Sequence, residues 1–296
     1  MNMFDYEYWG TGVFPAHVNM AIEEALAARV AQQRTKAAIR FYGFPHDAIV
    51  LGYAQATDII KNLHGAELTR RITGGSHVQT GPNTIAYSFV VPRDGTFRTF
   101  EDMRAYYAER VASALEALGI DNVTVDNKAS TIMVNDRIIA SHAIWWGIER
   151  ALMHGLLMMT PYDVNRVAAR VAFQQRKIGN TYYSEYDALK NLATVGQETA
   201  SARNDTLRAL VSNAILAEVT KNMFERHAID TLPEAKRQYS ASTWVSDHRP
   251  TFTPAEAEAI PGEELDGPLK KNLGYCLFLQ VPDKDFKAMI GLQEQR

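Results

Sequence analysis

Arg70-Arg71-Ile72-Thr73-Gly74-Gly75-Ser76-His77-Val78-Gln79-Thr80-Gly81-Pro82-Asn83-Thr84-Ile85-Ala86-Tyr87-Ser88-Phe89 is the stretch on which the reading of this chain turns. It begins in a short strand, Leu68 to Ile72, and breaks at two adjacent glycines. It then passes the turn composition Gly81-Pro82-Asn83 and resumes as a strand from Thr84 to Val91. Paired glycines after a strand let backbone approach a ligand closely, because neither carries a Cβ. Backbone N–H groups around Gly74, Gly75 and Ser76 suit phosphate or carbonyl oxygens. A glycine pair alone marks only a turn, so its neighbours have to decide.

Upstream, Val18, Ala21, Ile22, Ala25 and Leu26 recur at helical spacing, which predicts a helix from Val18 to Gln33. Two strand-like runs follow, Ala38 to Phe44 and Ala48 to Gly52, separated by Pro45-His46-Asp47, and a short helix is expected from Thr57 to Leu63. Downstream, Phe100 to Leu118 carries Met103, Tyr107, Val111, Leu115 and Leu118 along one side of a helix. Val123 to Asp126, Thr131 to Val134 and Arg137 to Ser141 read as strands. The last two flank Asn135-Asp136, a pair that favours a tight hairpin. Leu152 to Met159 is short and apolar, and Pro161 to Val171 and Leu207 to Arg226 are helical in period. Pro250, Pro254, Pro261 and Pro268 punctuate a polar stretch before one further strand, Asn272 to Val281. This divides the chain into a main domain, 1–245, and a small C-terminal appendage, 246–296.

With 296 residues, 46% hydrophobic and 22% charged, the chain can bury a sizeable core without crosslinks. A net charge of −3 points away from nucleic acid and anionic membranes. Cys276 is the sole cysteine, within an apolar run that reads as a core strand, so no disulfide can form within the chain. The acidic, aromatic N-terminus lacks the pattern of a signal peptide, and no apolar run is long enough to span a bilayer. A cytoplasmic setting is therefore expected. Phosphate-loop and dinucleotide-binding fingerprints are absent, as is any clustered His/Cys pattern for a structural metal.

The segment Arg70 to Phe89 resembles the signature of the biotin/lipoate protein ligase superfamily, written for lipoate ligases as R-R-x-S-G-G-G-A-V-Y-H-D-x-G-N-x-N-Y-S-F. Its Gly81-Pro82 is similar to the octanoyltransferase version, which runs H-G-P-G after the same glycines. Asn19-Met20-Ala21-Ile22-Glu23-Glu24-Ala25-Leu26 resembles the N-x-A-x-x-E-x-L first helix. Arg40-Phe41-Tyr42 with Val50-Leu51-Gly52-Tyr53-Ala54-Gln55 resembles the strand pair ending in G-x-x-Q, and His154-Gly155-Leu156-Leu157-Met158 resembles H-G-T-L-L. The matches run in the family's order from about residue 15 to 160. The biotin ligases' G-R-G-R-x-G-R loop is missing, which makes biotin ligation the lesser reading.

The resemblance implies a mixed α+β fold with a larger and a smaller sheet flanked by helices. It also implies a tunnel for lipoate or octanoate under the glycine-rich segment, formed with Arg70, Arg71, Gly74, Gly75, Ser76, His77, Thr80, Asn83, Tyr87, His154 and Gly155. Ligases of this family make an acyl-adenylate from ATP with Mg²⁺, then pass the acyl group to a lysine of a lipoyl domain. Strand alternation sends Arg70 and Arg71 to opposite faces, so only one is expected to reach the pocket, with a surface arginine as the plainer alternative for the other.

The family's lysine lies in a hairpin written K-I-x-G-S-A. Here that position falls on Ile138, in Ile138-Ile139-Ala140-Ser141-His142-Ala143. An isoleucine cannot offset developing negative charge, and losing one such contact commonly costs about 3 kcal/mol, roughly a hundredfold in rate. Arg137 is expected on the opposite face. His142 shares parity with Ile138 and so is a candidate to look into the pocket, as are His77 and Lys128. The plainer alternatives are hydrogen-bonded structural histidines, a solvated lysine, and turn formation for Ser76 and Asn83. Two readings stay open: an acyl ligase or transferase, for which the absent or truncated C-terminal domain of the family leads us to expect a separate accessory subunit, and a non-catalytic acyl- or partner-binding relative that lost its lysine.

Overall fold

A computed structural model of the chain describes residues 3–232, apart from residues 34, 35, 56, 162, 173, 174, 179, 180, 185–188 and 200–203, together with residues 239 and 245. The appendage expected from residue 246, with Cys276 and its strand, lies outside the described residues.

The strands are β1 (Asp5–Val13), β2 (Lys36–Gly43), β3 (Ala48–Leu51), β4 (Glu67–Arg70), β5 (Val78–Thr80), β6 (Thr84–Pro92), β7 (Val123–Asp126), β8 (Thr131–Val134), β9 (Arg137–Trp146), β10 (Arg150–Met158), β11 (Gln175–Ile178), β12 (Thr181–Ser184) and β13 (Phe224–Arg226). Eight form one sheet in the order β13-β1-β2-β6-β10-β9-β8-β7, and three form a small sheet, β4-β3-β5. β11 and β12 make a separate hairpin. This is the mixed α+β architecture, with a larger and a smaller sheet, that the sequence led us to expect.

Alternation along the central strands decides the layers. Ile39, Phe41, Tyr87, Phe89, Val91, Met153 and Leu157 form one core with α2 (Phe100–Ala117) and α5 (Asn204–Thr220). Ala38, Tyr42, Ala86, Val90 and Leu152 form the other, with α1 (Ala16–Gln33) and with Ala48 and Val50 of the small sheet. The helices begin where their first N–H groups find acceptors. Thr99 and Asp102 make a reciprocal capping box at α2. The Glu67 carboxylate, reaching over from β4, accepts from the backbone N–H of Ala16 at 2.8 Å and of His17 at 2.7 Å, tying α1 to the small sheet.

Three expectations need correcting. The segment from Thr57 to Leu63 forms turns and a single bridge, Ile60 to Val171, not a helix. The helix expected from Leu207 to Arg226 stops at Thr220. Lys221 and Asn222 both adopt positive φ (50° and 63°), which reverses the chain so that Phe224–Arg226 runs parallel to β1 as an edge strand. Arg70 is not at the surface but fully buried. The hairpin at Asn135-Asp136 is as expected, with both residues at positive φ (50° and 61°). The shorter helices are α3 (Val164–Arg170) and α4 (Val195–Glu198).

Candidate functional site

The two sheets face each other across a narrow cavity of about 40 Å³. Its walls are apolar: Met20 from α1, Phe44 after β2, Val50 from β3, Val78 from β5, Ala86 from β6 and Leu156 from β10. Arg71, Tyr42, Thr80, Ser141, His142 and His154 add polar groups to the lining.

Arg71 locks the glycine-rich loop in place, and Arg70 holds the neighbouring turn after β3. Arg71 Nη2 donates to the carbonyls of Gly74 (2.6 Å) and Ser76 (2.7 Å), Nη1 to Val50 (3.0 Å) and Nε to Thr73 Oγ1 (2.9 Å). Arg70 Nη1 donates to the carbonyls of Gly52, Tyr53 and Gln55 at 2.6–3.0 Å, and its Nη2 to that of Val245. Burial pulls the Arg70 pKa down to about 10, which leaves it cationic at neutral pH. Gly52 is what allows the loop to sit so close. A Cβ there would lie 1.7 Å from the Gly75 carbonyl oxygen, while Gly75 itself takes a φ of 98°.

Behind Arg71 runs a buried hydrogen-bond relay that no motif carries in full. Thr73 Oγ1 lies 2.7 Å from His154 Nε2, His154 Nδ1 lies 2.8 Å from Glu23 Oε2, and the Tyr42 hydroxyl donates to Glu23 Oε1 at 2.6 Å. The Glu23 carboxylate can only accept, which calls for the His154 proton on Nδ1; in that tautomer Nε2 accepts from the Thr73 hydroxyl. Arg40 lies over the Tyr42 ring at 4.3 Å and donates to Asn19 Oδ1 at 2.6 Å. Its pKa is pulled down to about 10 by burial, against the opposing pull of Tyr42 and Glu23. One carboxylate, two guanidiniums and an imidazole thus share a layer between α1 and the large sheet. Glu23, Tyr42, Thr73 and Arg40 escaped the sequence reading as site residues. The readable signal was Asn19 and Glu23, polar at i and i+4 among apolar neighbours.

One residue along each strand, the neighbouring row of the ladder faces α2. Tyr87, Gly155 and His142 stand side by side across β6, β10 and β9. A Cβ on Gly155 would fall 2.3 Å from Tyr87 Cζ, so the glycine opens a path for the tyrosine hydroxyl to reach His142 Nε2 at 2.6 Å. The expected shared parity of Ile138 and His142 fails because the β8–β9 register shifts. Ala140 pairs with Ile132 and Ile138 with Met133, which leaves Ile139 as a bulge and reverses the alternation. His142 therefore does not share a face with Ile138; its ring is tied to the Tyr87 hydroxyl and, with Gly155, still borders the cavity.

Burial is the main force holding the His142 pKa down, to about 3 from an ordinary 6.5. Between those two values the unfolded chain binds the proton and the folded chain does not. The stability from a neutral His142 is therefore complete above pH 6.5 and is lost as pH falls toward 3, by at most about 1.4 kcal/mol per pH unit. Denaturant midpoints of the native protein and His142→Gln from pH 7 to 4 should show the native protein falling more steeply. Parallel curves would mean that the ring is not buried as a base.

The remaining expected site residues are dispersed. Ile138 is half-buried, does not line the cavity, and accepts from Ala193 N–H at 2.9 Å. Lys128 is exposed in an Asp126-capped turn. His77 lies 3.4 Å from Gln55 through Nδ1. Asn83 ties the strand end to Met159 and Thr160.

Among the described residues, the one group of three side chains that could share a metal ion is Glu7, Glu225 and His227. It lies at the far edge of the large sheet and is neutralised by Arg29 and Lys36. Glu23, the carboxylate in the layer beside the cavity, is already engaged by Tyr42 and His154. The cavity residues thus fit an apolar chain with a polar head, and they do not supply a carboxylate set for Mg²⁺. No helix among the described residues is long and apolar enough to cross a membrane.

Residues 15–213 match the family model of the lipoyl protein ligase A/B catalytic domain. The chain is 32% identical over 116 residues to the octanoyltransferase LipM of Moorella thermoacetica, a match that covers 37% of this chain and 42% of that protein. It thus spans less than half the length of that relative. Solved structures share its fold, and three of them serve as examples. Protein Ta0514 of T. acidophilum with bound lipoic acid gives a TM-score of 0.61 at 19% identity, covering 83% of this chain and 99% of that one. Lipoate-protein ligase A bound with ATP gives 0.60 at 17%, covering 93% and 100%. A bipartite lipoate protein ligase of Thermoplasma acidophilum, described with its E2 lipoyl domain, gives 0.59 at 17%, covering 95% and 98%.

Proposed function

Because the chain belongs to the lipoyl protein ligase A/B catalytic domain family, we propose that it takes a medium-chain acyl group, lipoate or octanoate, into the slot between its sheets. It then delivers that group to a lysine of a lipoyl-domain acceptor. The observation that carries this reading is the cavity itself, an apolar slot closed by a loop that Arg71 holds from beneath. A saturated chain gains about 0.8 kcal/mol for each methylene it buries there. Met20, flexible along three torsions, is the wall residue suited to yield to a longer chain.

In the transfer, the bond from the acyl carbonyl carbon to its activating group breaks and an amide to the acceptor Nζ forms, with one amine proton released. Arg71 lends positive charge near the carbonyl end, and the relay through Thr73, His154 and Glu23 fixes the wall against which that end rests. In a ligase the activating group would be AMP, placed on the acyl carboxylate by ATP with release of pyrophosphate and expelled in the transfer; in a transferase it would be the thiol of an acyl carrier, released as the free thiol. No step is assigned to Mg²⁺. A separate accessory subunit is part of the proposal, supported by the bipartite organisation of the Thermoplasma relative.

The second reading, a relative that binds acyl groups without transferring them, is favoured by Ile138. Intact-mass measurement of a lipoyl-domain acceptor separates the two. One reaction holds lipoate, ATP and Mg²⁺, and the other holds octanoyl carrier protein. A mass gain in either establishes the chemistry, and Ile138→Lys is expected to raise its rate about a hundredfold. No gain in either reaction, with or without Ile138→Lys, would leave the binding role as the better account.

A further inference from the structure

A second cavity, about 210 Å³, lies on the other side of Thr80, and its lining includes Asp47, Thr80, Asn83, Asp163, Arg166 and Arg170. Its donors outnumber its acceptors in a particular way. Arg170, whose side chain is 3% exposed, spends Nη1 on Asp47 Oδ2 at 2.9 Å. Its Nε and Nη2 are buried and find no acceptor among the described residues, and neither does the buried Thr80 Oγ1. Asp47 is shared with Arg166, which reaches the same Oδ2 at 3.1 Å. Asp163 already accepts from the backbone N–H groups of Asn165 and Arg166, both at 3.1 Å.

Nε and Nη2 form one edge of the planar guanidinium, the edge whose two parallel N–H bonds match two oxygens of a carboxylate or phosphate. A buried guanidinium edge without an acceptor is costly. Asp47 cannot supply that acceptor, since it sits at the opposite end of the group.

We propose that this cavity is an oxyanion site, in which a phosphoryl or carboxylate group accepts from Arg170 Nε and Nη2 and from the Thr80 hydroxyl. Arg166 contributes charge at the more open side. The site does not depend on the acyl reading.

Titration of the full-length protein with inorganic phosphate, pyrophosphate and acetate, followed by calorimetry, tests it. Saturable binding of at least one anion is expected, and the order of the three distinguishes a phosphoryl preference from a carboxylate one. Arg170→Lys keeps the charge but removes the fork and is expected to weaken binding about tenfold or more. Thr80→Val is expected to weaken it about threefold to tenfold. Should Arg170→Lys fail to fold, the native protein and Thr80→Val still decide. No saturable binding of any of the three anions, or unchanged affinity in both variants, would overturn the proposal.

Discussion

Glu23→Ala is expected to cost about 3–5 kcal/mol of stability, the loss typical of removing one partner from a buried ionic cluster. Glu23 is 1% exposed and accepts from both Tyr42 and His154, with Arg40 close enough for its charge to be felt. Its removal would leave a buried hydroxyl and an imidazole N–H without acceptors and the Arg40 guanidinium without its counter-charge. At about 2–4 °C per kcal/mol for a domain of this size, the melting midpoint should fall by roughly 6–20 °C. Glu23→Gln should lose less. Its amide oxygen can still serve Tyr42, but its N–H₂ faces His154 Nδ1 and would force the ring to carry its proton on Nε2. Nitrogen NMR of His154 would report that exchange of tautomer. A loss below about 1 kcal/mol in Glu23→Ala would show that the layer is not held as an ionic cluster.

Gly155→Val is expected to be as damaging, for a steric reason. The Cβ position is 2.3 Å from Tyr87 Cζ and 2.4 Å from its hydroxyl, and that ring is itself fully buried beside Phe89. Overpacking of this kind costs about 1–3 kcal/mol, and a displaced Tyr87 leaves its hydroxyl and His142 Nε2 unpaired for about as much again. A second change, Tyr87→Ala, should recover part of the stability by removing the clash. Denaturant unfolding of the single and double variants makes a cycle whose coupling term should be clearly non-zero. Strict additivity would contradict the contact.

Motif and periodicity made the centre of the fold legible. The strands around the glycine pair, the helix at Phe100 and the Asn135-Asp136 hairpin each follow from a local rule. What stayed hidden rests on long-range pairing. Phe224–Arg226 continues a helical pattern in sequence and becomes a strand only because β1 offers an edge. Val78–Thr80 is too short to show a period. The same holds at the site. Arg71, His154 and Thr80 were named from motif and do line the cavity. His142 borders the cavity too, but its hydrogen bond to Tyr87 and its loss of parity with Ile138 were hidden, because the bulge at Ile139 leaves no mark in a run of apolar residues. Glu23 was passed over because its neighbour Glu24 occupies the motif position.

The parallel pairing of β1 with β13 also fixes an order of events during synthesis. Residues 5–13 emerge first and gain a partner in β2 soon after, but their outer edge is closed only by residues 224–226. At about 5–20 residues per second, ribosomes need on the order of ten to forty seconds to cover that interval. Throughout it, an aromatic strand bearing Tyr6, Tyr8 and Trp9 presents unpaired backbone to other nascent chains. Chaperone demand and losses to aggregation should therefore respond to changes in β13, a three-residue strand that lies far from any chemistry.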